Sequence, residues 1–174
     1  LKGRLRLFKI SAMGVVDAGS APVFDGQTGS AAAPMGIAIY KRPKDSVMFA
    51  IVGRKSGPQQ GYLWQYRIDG TRLTKVREFG AFSGGAKNEI EAIAVDDELG
   101  FVYYADEDCC IRKYHADPDH SEAAKELAKF GITGFRGNRE GIAIHRDYIV
   151  CTDQIAGGSE YHLFPRTGRQ DKAV

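Results

Sequence analysis

The sequence predicts an all-β chain that forms part of a β-propeller, a radial array of four-stranded blades. Three observations carry that expectation. A short apolar strand recurs as Met35-Gly36-Ile37-Ala38-Ile39, Glu91-Ala92-Ile93-Ala94-Val95 and Glu140-Gly141-Ile142-Ala143-Ile144, at spacings of 56 and 49 residues. Each copy is followed by a second strand (Met48-Phe49-Ala50-Ile51-Val52, Phe101-Val102-Tyr103-Tyr104, Tyr148-Ile149-Val150-Cys151) and then a third (Trp64-Gln65-Tyr66-Arg67-Ile68, Ile111-Arg112-Lys113-Tyr114-His115, Tyr161-His162-Leu163-Phe164). The approach to each copy repeats as well, as Val23-Phe24-Asp25-Gly26, Arg77-Glu78-Phe79-Gly80 and Ala128-Lys129-Phe130-Gly131. A period of about 50 residues carrying four short strands marks a blade.

The elements follow in order. Leu5-Arg6-Leu7-Phe8-Lys9-Ile10 reads as the third strand of a blade with no first or second strand before it. Residues 26–34 and 83–87 are small-residue connections between blades. Residues 41–46 and 96–100 are polar, turn-rich loops joining first strand to second. Trp64 and the tyrosines around it occupy strand positions and read as blade packing. Residues 120–126, with Ala123-Ala124 and Glu122 spaced toward Lys125 and Glu126, suit a short helix decorating one blade. The chain stops after the third strand of another blade. Three blades cannot close a ring, and an open array leaves unpaired edges. Residues 1–174 are therefore expected to be one partial propeller domain, incomplete at both ends, with no second domain.

Composition narrows the function classes. At 174 residues and 43% hydrophobic, the chain can bury a core as one domain. Net charge is +2 with Lys and Arg scattered, which argues against nucleic acid or an acidic membrane surface as partner. No apolar stretch is long enough to span a bilayer. No signal peptide is present, which says nothing of export for the middle of a longer chain. Adjacent Cys109 and Cys110 are not expected to bond to each other, because the eight-membered ring strains the peptide. A bond from one of them to Cys151 or to a missing segment stays open, and Cys151 otherwise reads as a small buried hydrophobe. Cys-x-x-Cys spacing is absent, which argues against zinc. His115, His120, His145 and His162 show no ligand spacing and are expected to be satisfied or exposed. Neither a nucleotide loop nor a Ser–His–Asp arrangement is supported.

Repeat geometry places the chemistry. The first strand of each blade lines the channel and the second runs antiparallel to it. The residue before strand one and the residue after strand two then share one mouth. That rule sets Glu91 beside Asp106-Glu107-Asp108, Glu140 and Asn138 beside Asp153-Gln154, and Met35 beside Arg54-Lys55. Crowded carboxylates with oxygen-only donors point to Ca²⁺. The basic pair beside them could hold a phosphate, although on spacing alone Arg54 and Lys55 are equally compatible with solubility. Asp106-Glu107-Asp108 is also compatible with a solvated turn, and Asp96-Asp97-Glu98 reads as one. Glu91 and Glu140 stand apart because they recur at equivalent positions before channel-lining strands, where Met35 shows that an apolar residue is tolerated.

At these residues the sequence resembles the β-propeller phytase family. The carrying stretch runs from Glu89-Ile90-Glu91-Ala92-Ile93-Ala94-Val95-Asp96-Asp97-Glu98-Leu99-Gly100 through Val102-Tyr103-Tyr104-Ala105-Asp106-Glu107-Asp108 to Ile111-Arg112-Lys113-Tyr114. Asp117-Pro118-Asp119, Arg139-Glu140-Gly141-Ile142, Lys75-Val76-Arg77 and Gln154 keep the register, so the match covers nearly the whole chain and about half of a family member. The resemblance implies a six-bladed ring with several Ca²⁺ ions at the channel mouth. It implies hydrolysis of phosphomonoesters of myo-inositol hexakisphosphate (phytate) by metal-activated water. It further implies an extracellular or periplasmic protein, monomeric when full length, with a small-molecule substrate. By resemblance, Glu91, Glu107 and Glu140 match metal- and phosphate-site carboxylates with catalytic roles, Asn138 supports the metal, and Arg54 stands at a phosphate-binding Lys, with Lys55 beside it.

The departures are specific. Met35 replaces a site Tyr, Arg54-Lys55 replaces a Lys-Glu pair, and Asn138 stands where Asp is usual, which removes a charge from a Ca²⁺ site. The family's N-terminal Asp-Asp-Pro-x-x-Trp and C-terminal Asp-Gly-rich motifs are absent, so these residues alone are expected to be incomplete as a catalyst. Two alternatives stand beside this reading. One is a non-catalytic binding scaffold whose ring is stapled by Ca²⁺, and the other is a propeller lactonase or esterase with one central Ca²⁺.

Overall fold

The computed structural model describes residues 3–85 and 88–168. β1 (Arg4–Ser11) and β2 (Gly14–Pro22) form an antiparallel hairpin, so the expected third strand is present with a fourth behind it. The first full blade is β3 (Pro34–Lys41), β4 (Met48–Arg54), β5 (Gln60–Asp69) and β6 (Arg72–Ala81), hydrogen-bonded in chain order. The second is β7 (Ile93–Asp96), β8 (Phe101–Asp106), β9 (Cys110–His115) and β10 (Ala128–Phe130). The third holds β11 (Ile142–His145), β12 (Tyr148–Asp153) and β13 (Glu160–Pro165). All pairings are antiparallel, and the inner strand β7 packs between the inner strands β3 and β11. The chain is thus a partial β-propeller, all-β in class, with one short 3₁₀ turn at Gly29–Ala32 among the described residues.

The unbroken apolar runs of the second strands follow from their place between blades. A strand alternates its side chains between two faces, and here both faces are covered. In β4, Phe49 and Ile51 join a cluster with Tyr62, Leu63, Ile90, Val102 and Tyr104 of the first two blades. Ala50 and Val52, on the other face, join Val23, Phe24, Trp64 and Tyr66 against the β1–β2 hairpin. β8 does the same one blade on. Val102 and Tyr104 face back to the first blade, while Tyr103 joins Ile111, Phe130, Ile149, Cys151 and Phe164 toward the third. Each large apolar side chain buried this way contributes roughly 1.5–3 kcal/mol.

The mouth opposite the carboxylates is tied by charge. Arg42 donates to Asp117 at 2.9 Å and Asp119 at 2.5 Å, joining the first blade to the second. Arg166 reaches from the third blade to Asp96 (2.6 Å to Oδ1) and to Glu98 (2.8 Å). Asp96 is only 2% exposed and also caps the turn through Leu99 N–H, so the expected solvated acidic turn is partly an inter-blade clamp. Burial raises the Asp96 carboxyl, and the Arg166 and Leu99 donors more than offset that, leaving it below the usual range.

Two further expectations are corrected. Residues 120–126 are not a helix; they form successive turns closed by Ala123 N–H to the His120 carbonyl and Lys125 N–H to the Glu122 carbonyl, both 2.9 Å. Seven residues cannot sustain a helix without an apolar face to dock, and only Ala123 is buried here. Cys109 and Cys110 are joined to each other in the turn between β8 and β9, which the Cys109 N–H closes onto the Asp106 carbonyl at 2.8 Å. Cys151 is free and buried, as a small hydrophobe would be.

Candidate metal centre

The end of each second strand is stitched to the start of the first strand of its own blade. Lys55 N–H meets the Ala33 carbonyl, Ala105 N–H the Ala92 carbonyl and Thr152 N–H the Gly141 carbonyl, each at 2.9 Å. This brings Glu91 and Glu107 together within the second blade. The contact between β7 and β11 adds Glu140 from the third. Carboxylate oxygens of Glu91, Glu107 and Glu140 lie within 4.8 Å of one another. The approach of the first blade is equally close: a Cβ on Gly36 would lie 2.2 Å from the Glu91 carbonyl oxygen, so only glycine fits.

Glu107 is 4% exposed and accepts the Glu89 N–H at 3.2 Å. Burial pushes its carboxyl up to about 7; the Glu89 N–H opposes this, and the charges of Glu140, Glu91 and Glu89 add to the rise. Burial followed by the charges of Glu140 and Glu89 raises Glu91 too, with Lys55 acting the other way. Lys55 Nζ pairs with Glu89 at 3.0 Å and stays half exposed. The group is therefore a set of crowded, partly desolvated oxygens whose like charges repel. A hard cation relieves that repulsion, and the donor set contains no nitrogen or sulfur to favour a softer ion.

Other residues expected at this mouth are placed differently. Arg54 is 2% exposed, and its guanidinium holds the start of β5. Nε donates to the Tyr62 carbonyl at 2.9 Å and Nη2 to the Gly61 carbonyl at 2.6 Å, while Nη1 lies 3.5 Å from Gln27 Oε1. The rings of Phe24 and Trp64 lie 5.1 and 5.3 Å from it. The phosphate contact expected of Arg54 is not what its donors make. Asn138 enters through its backbone, bridging Gln154, whose N–H meets the Asn138 carbonyl at 2.8 Å.

Strand pairing explains Arg54. Val52, Tyr104 and Cys151 stand opposite equivalent first-strand residues, which makes Arg54, Asp106 and Asp153 equivalents two positions on. All three are buried and bind backbone beyond the strand's end, Arg54 at the start of β5 and the two aspartates in loops. Asp106 accepts Ser83 N–H (2.8 Å) and Arg112 Nε (2.8 Å), and Asp153 accepts the N–H groups of Arg136 (2.8 Å) and Gly137 (2.7 Å). The residue one further along, Lys55 or Glu107, is the one that reaches the mouth. Two participants, Glu89 and Arg139, were not assigned roles from sequence. The charge match between Lys55 and Glu89 is the signal that could have found the first. Nothing local marks Arg139, because its partner Glu107 belongs to another blade.

Fold and site together define a propeller segment with an oxygen-only carboxylate centre at one mouth. The phytase family model matches residues 23–173; the chain belongs to the phytase family. A curated 3-phytase of Bacillus subtilis (strain 168) is 29% identical over 144 residues, which cover 77% of this chain and 35% of that protein. The chain thus spans about a third of the length of that relative. A solved structure of U3-55K superposes with a TM-score of 0.49 at 16% identity, over 80% of this chain and 38% of that one.

Proposed function

We propose that these blades contribute one side of the active mouth of a Ca²⁺-dependent phosphomonoesterase acting on phytate. The carrying observation is the convergence of Glu91, Glu107 and Glu140 within 4.8 Å, with the Glu107 carboxyl pushed up to about 7. Family membership and the 3-phytase relative support the reaction class. The three carboxylates would hold the cation, which when bound supplies Lewis-acid polarisation of phosphoryl oxygens and lowers the pKa of water. Without the cation Glu107 holds its proton up to near neutrality, so cation binding would release that proton, and the Glu89 N–H fixes Oε2. Lys55 Nζ, half exposed and paired with Glu89, is the basic group that would meet a phosphate oxygen.

The test is phosphate release from phytate by the protein, with Ca²⁺ and after chelation. Glu91→Gln removes one ligand charge without changing shape and is expected to lower turnover by roughly 10²-fold or more, with far-UV circular dichroism unchanged. A full-length protein that binds Ca²⁺ without releasing phosphate from any phosphomonoester would be a scaffold instead. Turnover unaffected by Glu91→Gln would remove that residue from the chemistry.

A further inference from the structure

On the third blade, Asp153, Glu160 and His162 lie on one face of the β12–β13 ladder. Asp153 stands directly opposite Glu160, and His162, two residues along the same strand, stands opposite Cys151. Side chains two apart share a face, and donor atoms of the three residues lie within 4.8 Å of one another.

The imidazole is the informative member. His162 Nε2 is buried and faces Asp153 Oδ2 at 3.4 Å, a long contact that leaves the nitrogen without a well-formed hydrogen bond. The ring is held by the stacked ring of Phe135, 4.2 Å between centroids. Asp153 is itself held: the N–H of Arg136 meets Oδ2 at 2.8 Å and that of Gly137 meets Oδ1 at 2.7 Å. Backbone donors behind a carboxylate are the supporting contacts that fix a ligand toward a metal. Glu160 is exposed and paired with the Arg136 guanidinium, so it gives the pocket a solvent side and a movable cap.

We propose that Asp153, Glu160 and His162 form a second metal site, chemically unlike the three glutamates, for a divalent transition ion, zinc in the first instance. One imidazole nitrogen with two carboxylates suits a borderline ion that takes three protein ligands and leaves a fourth position open. An oxygen-only set favours Ca²⁺, so the two sites sort their ions by donor type. His162, with no ligand spacing to any other histidine, gains its partners only through strand pairing.

The experiment is calorimetric titration of the metal-free protein with Zn²⁺ in excess Ca²⁺, which occupies the glutamate centre, backed by the visible absorption of bound Co²⁺. One equivalent is expected to bind. His162→Gln and Glu160→Gln should each weaken it by at least about tenfold and erase the Co²⁺ bands, whereas Glu91→Gln should leave binding intact. Arg136→Ser, which removes the competing cation, should tighten binding. Thermal unfolding of the metal-free variants reports whether His162→Gln folds, and exposed Glu160 provides an independent variant that does not disturb the interior. Zinc binding that is absent in the wild type, or that survives both substitutions, overturns the site.

Discussion

Arg139 Nη1 donates to the backbone carbonyl of Glu107 at 2.6 Å, across the boundary between the third and second blades. Its Nε and Nη2 share the Gly131 carbonyl at 3.1 and 2.7 Å, and Phe135 lies 4.1 Å from the guanidinium. Glu140 follows Arg139 directly. One buried side chain thereby sets two of the three carboxylate-bearing segments. Arg139→Met keeps the stem and removes every donor, leaving two buried carbonyls unsatisfied at roughly 1–3 kcal/mol each. The urea midpoint should fall, and Ca²⁺ affinity should fall with it. An unchanged Ca²⁺ isotherm would show that the carboxylates are positioned without Arg139.

The Glu107 carboxyl, raised from an ordinary 4.5 to about 7, makes a signed pH prediction. In the folded state its proton is held more tightly than in the unfolded chain. Stability from this group is therefore complete below pH 4.5 and is lost as pH rises through about 7. In chelator, wild type should lose on the order of 1–3 kcal/mol relative to Glu107→Gln between about pH 5 and about pH 8. Groups that do not interact with Glu107, such as His115, cancel in the difference. Added Ca²⁺ should reverse the ranking at the upper end, since the ion then neutralises the charge. A flat difference in chelator would refute the raised carboxyl.

Gly36 faces the Glu91 backbone so closely that a methyl group cannot enter without moving one blade against the next. Gly36→Ala should cost roughly 1–3 kcal/mol, as overpacking does elsewhere. It should also weaken Ca²⁺ binding, because the displaced atoms carry Glu91. Gly70→Ala, at a position with open space but positive φ, is the control for backbone strain alone. Equal effects on Ca²⁺ binding from the two variants would separate Glu91 placement from the Gly36 contact.

Much of the architecture was legible because the repeat is written three times. Short-range periodicity located each second strand, and antiparallel pairing predicted that Glu91 and Glu107 meet. The structural place of Arg54 was not legible because its equivalents, Asp106 and Asp153, carry opposite charge, and charge sign hides a shared position. All three occupy the last position of a buried strand, where a polar side chain must find backbone partners nearby to stay inside. The acidic turn at Asp96 was misread for a related reason. Its partner Arg166 lies 70 residues away, and no local pattern reports a contact at that range.

What the linear order of residues determined by itself is the blade: its strands, its hairpins and the mouth to which each glutamate belongs. These depend on alternation and on bonds between neighbours in the chain. What only the tertiary structure decided is which charges are buried or paired and against whom, as with Arg139 on Glu107, Lys55 on Glu89 and His162 on Asp153. Charge–charge energies and desolvation depend on distance and water exclusion, and both are set when one blade closes against the next.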